Sequence, residues 1–141
     1  MQRGNRVIEK LLIGADSILA GILSGTGSAV VTVKAPDGRI EIDCTALQAG
    51  KTLTIPTPFP FEIIDMKTIH GNATLCTVQA LNGAVAVTDA LAVAATDKVI
   101  DRAATIDDAV SSFETGDDDL VIAVVTAAFT GKIIIEVVIP N

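Results

Sequence analysis

The stretch Ala29-Val-Val-Thr-Val-Lys-Ala-Pro-Asp-Gly-Arg-Ile-Glu-Ile-Asp43 decides the fold. Residues 29–34 are rich in β-branched side chains, whose stiff χ1 suits a pleated surface. Residues 39–43 alternate strictly, which puts Ile40 and Ile42 on one face. Between them Pro36 fixes φ and Gly38 tolerates a positive one, so 35–38 read as a turn. The whole is a β-hairpin.

The same grammar continues in both directions. Residues 51–55 alternate again. Pro56, Pro58 and Pro60 lack backbone donors, so 56–60 must be an extended crossing or an edge. A long run follows at 61–70, then a turn at Gly71-Asn72. Residues 73–80 alternate, with Leu75 and Thr77 opposite Cys76 and Val78. Asn82-Gly83 is a strong hairpin signal. Residues 84–95 read as a strand with a short helical turn at 89–91, and 97–102 as a shorter strand. Residues 105–111 predict one turn of helix, capped by Thr105 with acids in its first turn. A turn at 116–119 precedes two nearly continuous apolar runs, 120–126 and 132–139, joined through 129–131. Both are expected to be buried on two faces, and the second to pair across a subunit boundary. Eight or nine strands with turn signals every eight to twelve residues predict an all-β, jelly-roll-like β-sandwich.

Towards the N-terminus the pattern changes. Val7, Leu11, Ala15, Ile18 and Ile22 recur at spacings of three and four, as on one face of a helix. Gly14 and Gly21 each weaken a helix by roughly 1 kcal/mol relative to Ala, and an extended arm packing on a neighbour is an equal alternative. Ser24-Gly-Thr-Gly-Ser28 breaks the chain. The expected organisation is an N-terminal arm or short helix at 1–27 and a sandwich at 28–141.

Composition narrows the function. The 141 residues suit one domain that buries a core without staples. Half are hydrophobic but only 3% are aromatic, with no Trp and no Tyr. The core must be aliphatic, with Phe59, Phe61, Phe113 and Phe129 placed for packing. Stacking sites for sugars or unpaired bases lack their usual rings. A net charge of −7 disfavours nucleic acid and anionic lipid. The apolar stretch 11–23 contains Asp16, Gly14 and Gly21 and is too short to span a bilayer. It also lacks the features of a signal peptide, so a soluble product made in the cytoplasm is expected.

Few residues could carry chemistry. His70 is the single histidine, and it reads as an ordinary surface residue at a strand end. Cys44 and Cys76 read as buried reduced thiols, with no Cys-x-x-Cys or His-x-x-x-His for a metal. Ser24–Ser28 lacks the Gly-Lys-Ser/Thr ending of a phosphate loop. Asp117, Asp118 and Asp119, with Asp107 and Asp108 upstream, could offer oxygens to a hard cation. Their spacing is not that of a calcium loop, so they read as a solvated acidic turn. No catalytic residue, metal or other cofactor is expected.

Residues 52–139 resemble the small jelly-roll decoration (cement) proteins of tailed-bacteriophage capsids. The likeness runs in order through Ile55-Pro-Thr-Pro-Phe-Pro-Phe61 and Ile63-Ile-Asp65, Thr74-Leu-Cys-Thr-Val-Gln79, Asn82-Gly83, and Val87-Thr-Asp-Ala-Leu91. It continues through Ala104-Thr-Ile-Asp-Asp-Ala109, Gly116-Asp-Asp-Asp-Leu120 and Gly131-Lys-Ile-Ile-Ile135. It implies a virion protein on the capsid exterior, often a homotrimer, that clamps neighbouring major capsid subunits. The expected contacts are Val7, Leu11, Leu12, Ile18, Leu19 and Ile22 from the arm, and Ile133, Ile135 and Val137 from the last strand. Removal of residues 1–27 is expected to abolish head binding and leave the sandwich folded. The competing reading is a receptor- or carbohydrate-binding module, because a jelly roll alone does not choose a function. A small hydrolase is weakest.

Overall fold

The computed structural model describes residues 17–19, 21–34, 37–57, 60–71, 75–93, 99–114 and 118–138. The deciding hairpin forms as read: β3 (Ser28–Lys34) pairs antiparallel with β4 (Arg39–Leu47), from Ser28 opposite Thr45 to Lys34 opposite Arg39. β5 (Lys51–Pro56), β6 (Phe61–His70), β7 (Cys76–Asn82), β12 (Asp119–Val125) and β13 (Phe129–Val138) are the other long strands. Short pieces complete the edges: β1 (Ser17–Leu19), β2 (Ile22–Leu23), β8 (Val85–Ala86), β9 (Leu91–Val93), β10 (Ile100–Arg102) and β11 (Ser112–Phe113).

One sheet, here sheet A, runs β1-β3-β4-β13-β6-β10, with β11 also on β6. The other, sheet B, runs β2-β5-β12-β7-β8, with β9 also on β7. All pairs are antiparallel. From β4 to β7 the chain alternates between sheets, and after β8 and β9 it returns through β10, β12 and β13, so that β4-β13-β6-β10 faces β5-β12-β7-β8. That order is the double Greek key of a jelly roll, so the expected all-β sandwich is the fold.

Between the sheets lies one aliphatic core, including Val31, Ile40, Ile42, Leu53, Ile55, Ile63, Val78, Leu120, Ile122, Ile133 and Ile135. Phe61 stacks on Phe113 at 4.8 Å, and Phe129 on His70 at 5.9 Å. Two bulges keep strands in phase. Ile64 is the extra residue opposite Glu136 and Val137, so Phe61 and Ile63 on one side of it and Met66, Thr68 and His70 on the other all reach the interior. Ala46, at φ 49°, is the extra residue between Leu47 and Cys44, and its N–H donates to Thr130 Oγ1 at 2.9 Å.

Several sequence expectations need correction. β13 lies between β4 and β6, so both of its edges are hydrogen-bonded and it has none to offer another subunit. β12 and β13 are buried on one face and only half-covered on the other. Residues 129–131 belong to β13 rather than to the loop before it. The predicted helical turn at 105–111 is a hydrogen-bonded turn, closed by Val110 N–H to Asp107 O and by Asp107 Oδ1 accepting from Ala109 N. The 84–95 strand is split into β8 and β9 around Asp89, whose Oδ1 accepts from the N–H groups of Ala104 and Thr105. The Asn82-Gly83 hairpin exists one residue along: Asn82 pairs with Val85, so Gly83 and Ala84 make the turn. Asn82 is held in the strand because its Nδ2 donates to Val110 O and Ser112 O. Residues 17–19 and 22–23 are extended rather than helical. They edge sheets A and B, so part of the expected arm belongs to the sandwich.

Two backbone positions give opposite expectations. Thr126 sits at φ 82° in the turn before β13, a conformation that a β-branched residue adopts only at a cost. Gly131 has φ 149°, and a Cβ there would lie 2.3 Å from Ile69 O and 3.1 Å from the Phe129 ring. Thr126→Gly should raise the unfolding free energy by roughly 1 kcal/mol, whereas Gly131→Ala should lower it by about 2–4 kcal/mol. Urea titration of both variants reads the two signs, and equal signs would refute the assignment.

Candidate functional site

The two outer faces of the sandwich differ in kind. On sheet A, ladder partners build rows across the strands. Val30, Asp43, Lys132, Ile69 and Ile100 form one row. Thr32, Glu41, Ile134, Lys67 and Arg102 form the next, and Lys34, Arg39, Glu136 and Asp65 the third. Five of the chain's ten basic residues are therefore interleaved with Glu41, Asp43, Asp65 and Glu136. Arg39 Nε donates to Glu41 Oε2 at 2.6 Å, and Lys132 Nζ lies 3.3 Å from Glu41 Oε1. Arg102 meets Asp65 at 3.0 Å, and Lys67 meets Glu136 at 3.8 Å. This lattice satisfies itself.

Sheet B presents no charge on three corresponding rows, and the exposed Asp119, opposite Pro56 at the start of β12, bounds them. Ile22, Thr54, Val121, Leu81 and Ala86 are successive ladder partners across all five strands of the path. Thr52, Ala123 and Gln79 form the next row, and Ala92, Thr77 and Val125 the third. None of these side chains is buried, and Ile22 is 63% exposed. Gln79 Nε2 already donates to Thr88 O at 2.9 Å, and Thr52 Oγ1 donates to Ser24 Oγ at 3.3 Å. Covering this face would therefore strand few polar groups. It is the candidate interaction surface.

The chain's net charge is concentrated in one stretch of the sequence. Residues 89–119 hold nine acidic and two basic residues, a net of −7, which equals that of the whole chain. Among the described residues these acids fasten loops: Asp118 Oδ2 accepts from Glu114 N, and Asp118 O from Thr57 Oγ1. Asp117 lies outside the described residues. No group of three or more His, Cys, Asp or Glu side chains is placed to share a metal ion among the described residues. No helix among them is long and apolar enough to cross a membrane.

His70 corrects the sequence reading. It is fully buried against Phe129 rather than on the surface, because the Ile64 bulge turns the end of β6 inward. Cys44 and Cys76 are buried and free. Burial, aided by Asp43, pushes the Cys44 thiol up to about 12, and burial raises Cys76 as well. Thiols held in that state are poor nucleophiles. An open depression of about 640 Å³ lies over Cys44, His70, Gly131 and Lys132, but the first two show it little surface.

The expected contact residues divide three ways. Val7, Leu11 and Leu12 lie outside the described residues, as do the side chains of Ile18 and Leu19. Ile22 stands exposed on the uncharged face. Ile133, Ile135 and Val137 are 0%, 0% and 7% exposed and fill the core, so they form no seam. Period-two geometry sends them inward and leaves Lys132, Ile134, Glu136 and Val138 outside. The sequence reading missed Thr54, Leu81, Ala86 and Val121. Their signal was available: the outward half of 51–55 and 120–126 carries no charge, while that of 39–43 does.

No family model matches the chain, and neither a curated protein nor a solved structure matches it.

Glu41 supplies a pH test of the sheet A lattice. Burial pushes its carboxyl up, but hydrogen bonds from Arg39 and Lys132, with their charges, outweigh this and hold it below its ordinary 4.5. A carboxylate lowered on folding stabilises above its unfolded pKa and loses that contribution as pH falls through the folded one. Glu41→Gln should therefore be less stable than the parent at pH 7, by about 1 kcal/mol. The gap should close as pH falls below 4.5, and thermal melts across pH 2–7 should show that convergence. A gap that widens in acid would contradict it.

Proposed function

We propose that the chain is a structural virion protein, a decoration protein that binds the outside of a tailed-phage head and clamps neighbouring major capsid subunits. The observation that carries this reading is the pairing of a jelly-roll strand order with an outer face of sheet B that holds no charge on the rows through Val121, Ala123 and Val125. A rigid sandwich with one dry, adhesive face suits a clamp. A protein that binds only the assembled lattice stabilises it by mass action. The ordered sequence likeness at 52–139 supports the same assignment, and the buried His70, Cys44 and Cys76 fit a role without catalysis. Synthesis in the host cytoplasm and residence on the capsid exterior follow from the proposal. The seam once expected for three copies used Ile133, Ile135 and Val137, which the core consumes, so the proposal carries no copy number.

Residues 1–16 precede β1 and include Arg3, Arg6 and Lys10. They lie outside the described residues, and the proposal gives them the grip on a neighbour. Co-sedimentation with purified expanded heads from the same source should pellet the full chain. A chain lacking 1–16 should bind at least about tenfold more weakly, a loss of about 1.4 kcal/mol, while melting within a few degrees of the parent. A full chain that stays in the supernatant, together with clear hits on a glycan array, would replace the proposal with a carbohydrate-binding module.

A further inference from the structure

We infer that the N-terminal segment of this chain straps across its own sheet B, with residues 7–13 seated over the row Ile22–Thr54–Val121–Leu81 and Arg6 beside Asp119. The seat itself is independent of capsid binding, and only its consequence on a head rests on that reading.

The path of the chain leads to this face. β1 is the outer strand of sheet A and β2 the outer strand of sheet B, so residues 17–23 wrap one side of the sandwich. β1 begins at Ser17, opposite Val33 and next to the turn that joins β3 to β4. β4 runs away from that turn and β5 runs back from residues 48–50, so β5 finishes at the end where β1 begins. Its last residue, Pro56, is the ladder partner of the exposed Asp119. The residues before Ser17 therefore enter at the end of the sandwich where Asp119 stands.

Length permits the seat. From β1 to a layer lying on β12 the chain must cross about three strand spacings of 4.8 Å and two layer separations of about 10 Å, on the order of 25 Å in all. Residues 7–16 span up to about 33 Å when extended, so Arg6 reaches β12. A tether this short holds the segment at an effective concentration on the order of mM, which favours the chain's own face over that of a second copy.

Chemistry selects sheet B over sheet A. Val7, Ile8, Leu11, Leu12 and Ile13 are five apolar residues in seven. Over sheet A they would strip water from the paired charges of Arg39, Glu41, Lys67, Arg102 and Lys132. Over sheet B they meet rows without charge, from the exposed Ile22 to Leu81. The charges also match. Residues 1–16 hold three basic and two acidic residues, a net of +1, which leaves −8 for the rest of a chain of −7. The segment is thus the basic part of an acidic protein, and Asp119 bounds the apolar rows at the end by which it enters. On the capsid reading, a head would displace the strap, exposing the face and freeing the segment to grip a neighbour.

A nitroxide on Gln2→Cys tests the seat, since Cys44 and Cys76 are buried. In the isotope-labelled full chain it should broaden the amides of Val121 and Leu81 more than those of Glu41 and Ile134 on sheet A. Isotope-labelled chain without the nitroxide, mixed with nitroxide-bearing chain, should show no broadening. Leu11→Asp with Leu12→Asp should remove the effect, and Asp119→Lys should weaken it. Broadening that is absent, stronger on sheet A, or present in the mixture would overturn the inference. Leu11→Cys with Ala123→Cys should form an intramolecular disulfide on mild oxidation. The locked chain should co-sediment with heads at least about tenfold less than the reduced one, because its binding-competent state is withheld. Equal pelleting of the two forms would overturn the displacement. A seated strap in a chain that ignores heads in both forms would count against the capsid proposal alone.

Discussion

The structure depends on one strand pairing. β13 is hydrogen-bonded on both edges, to β4 through Ile133 opposite Ile42 and to β6 through Ile133 opposite Thr68. Its Phe129, Ile133, Ile135 and Val137 enter the core together. Without it, sheet A splits into a β3–β4 hairpin and a detached β6, and the interior of sheet B faces water. About ninety residues separate β13 from β4, so this contact closes a very long loop before it stabilises anything. Folds organised by such non-local pairings form slowly.

That constraint propagates through small irregularities. Because β13 must match two partners, each partner carries a bulge: Ala46 on β4 and the residue Ile64 on β6. The second bulge keeps both halves of β6 facing the core, which is why a histidine ends up stacked under Phe129. Gly131 sits where three backbones crowd, and the Phe129 ring covers the space its missing side chain leaves. These features answer to packing and register, and none of them builds a reactive site.

Function, on this view, is written on the faces and not in a pocket. The outward rows of sheet A that pass through Asp43, Glu41 and Arg39 hold paired charges, whereas those of sheet B that pass through Val121, Ala123 and Val125 hold none and are bounded by Asp119. Surface ion pairs contribute little stability singly, but on sheet A they satisfy one another's charges.

Much of this was legible from the chain alone. The β-branched run at 29–34, alternation in 39–43 and 51–55, the turn chemistry of Pro36 and Gly38, and the scarcity of aromatics determined an all-β sandwich with an aliphatic core. Side-chain period and backbone sterics act locally, so such readings survive into the fold. Which strands are neighbours was decided only in three dimensions. An apolar run such as 132–139 reads the same whether it is an edge or the centre of a sheet, and its central place turned expected seam residues into core. Likewise, the uncharged face becomes a surface only when β2, β5, β12, β7 and β8 are set side by side. Each strand contributes one residue to a row, and the hydrogen-bond register that aligns them is a property of the pairing and not of any segment.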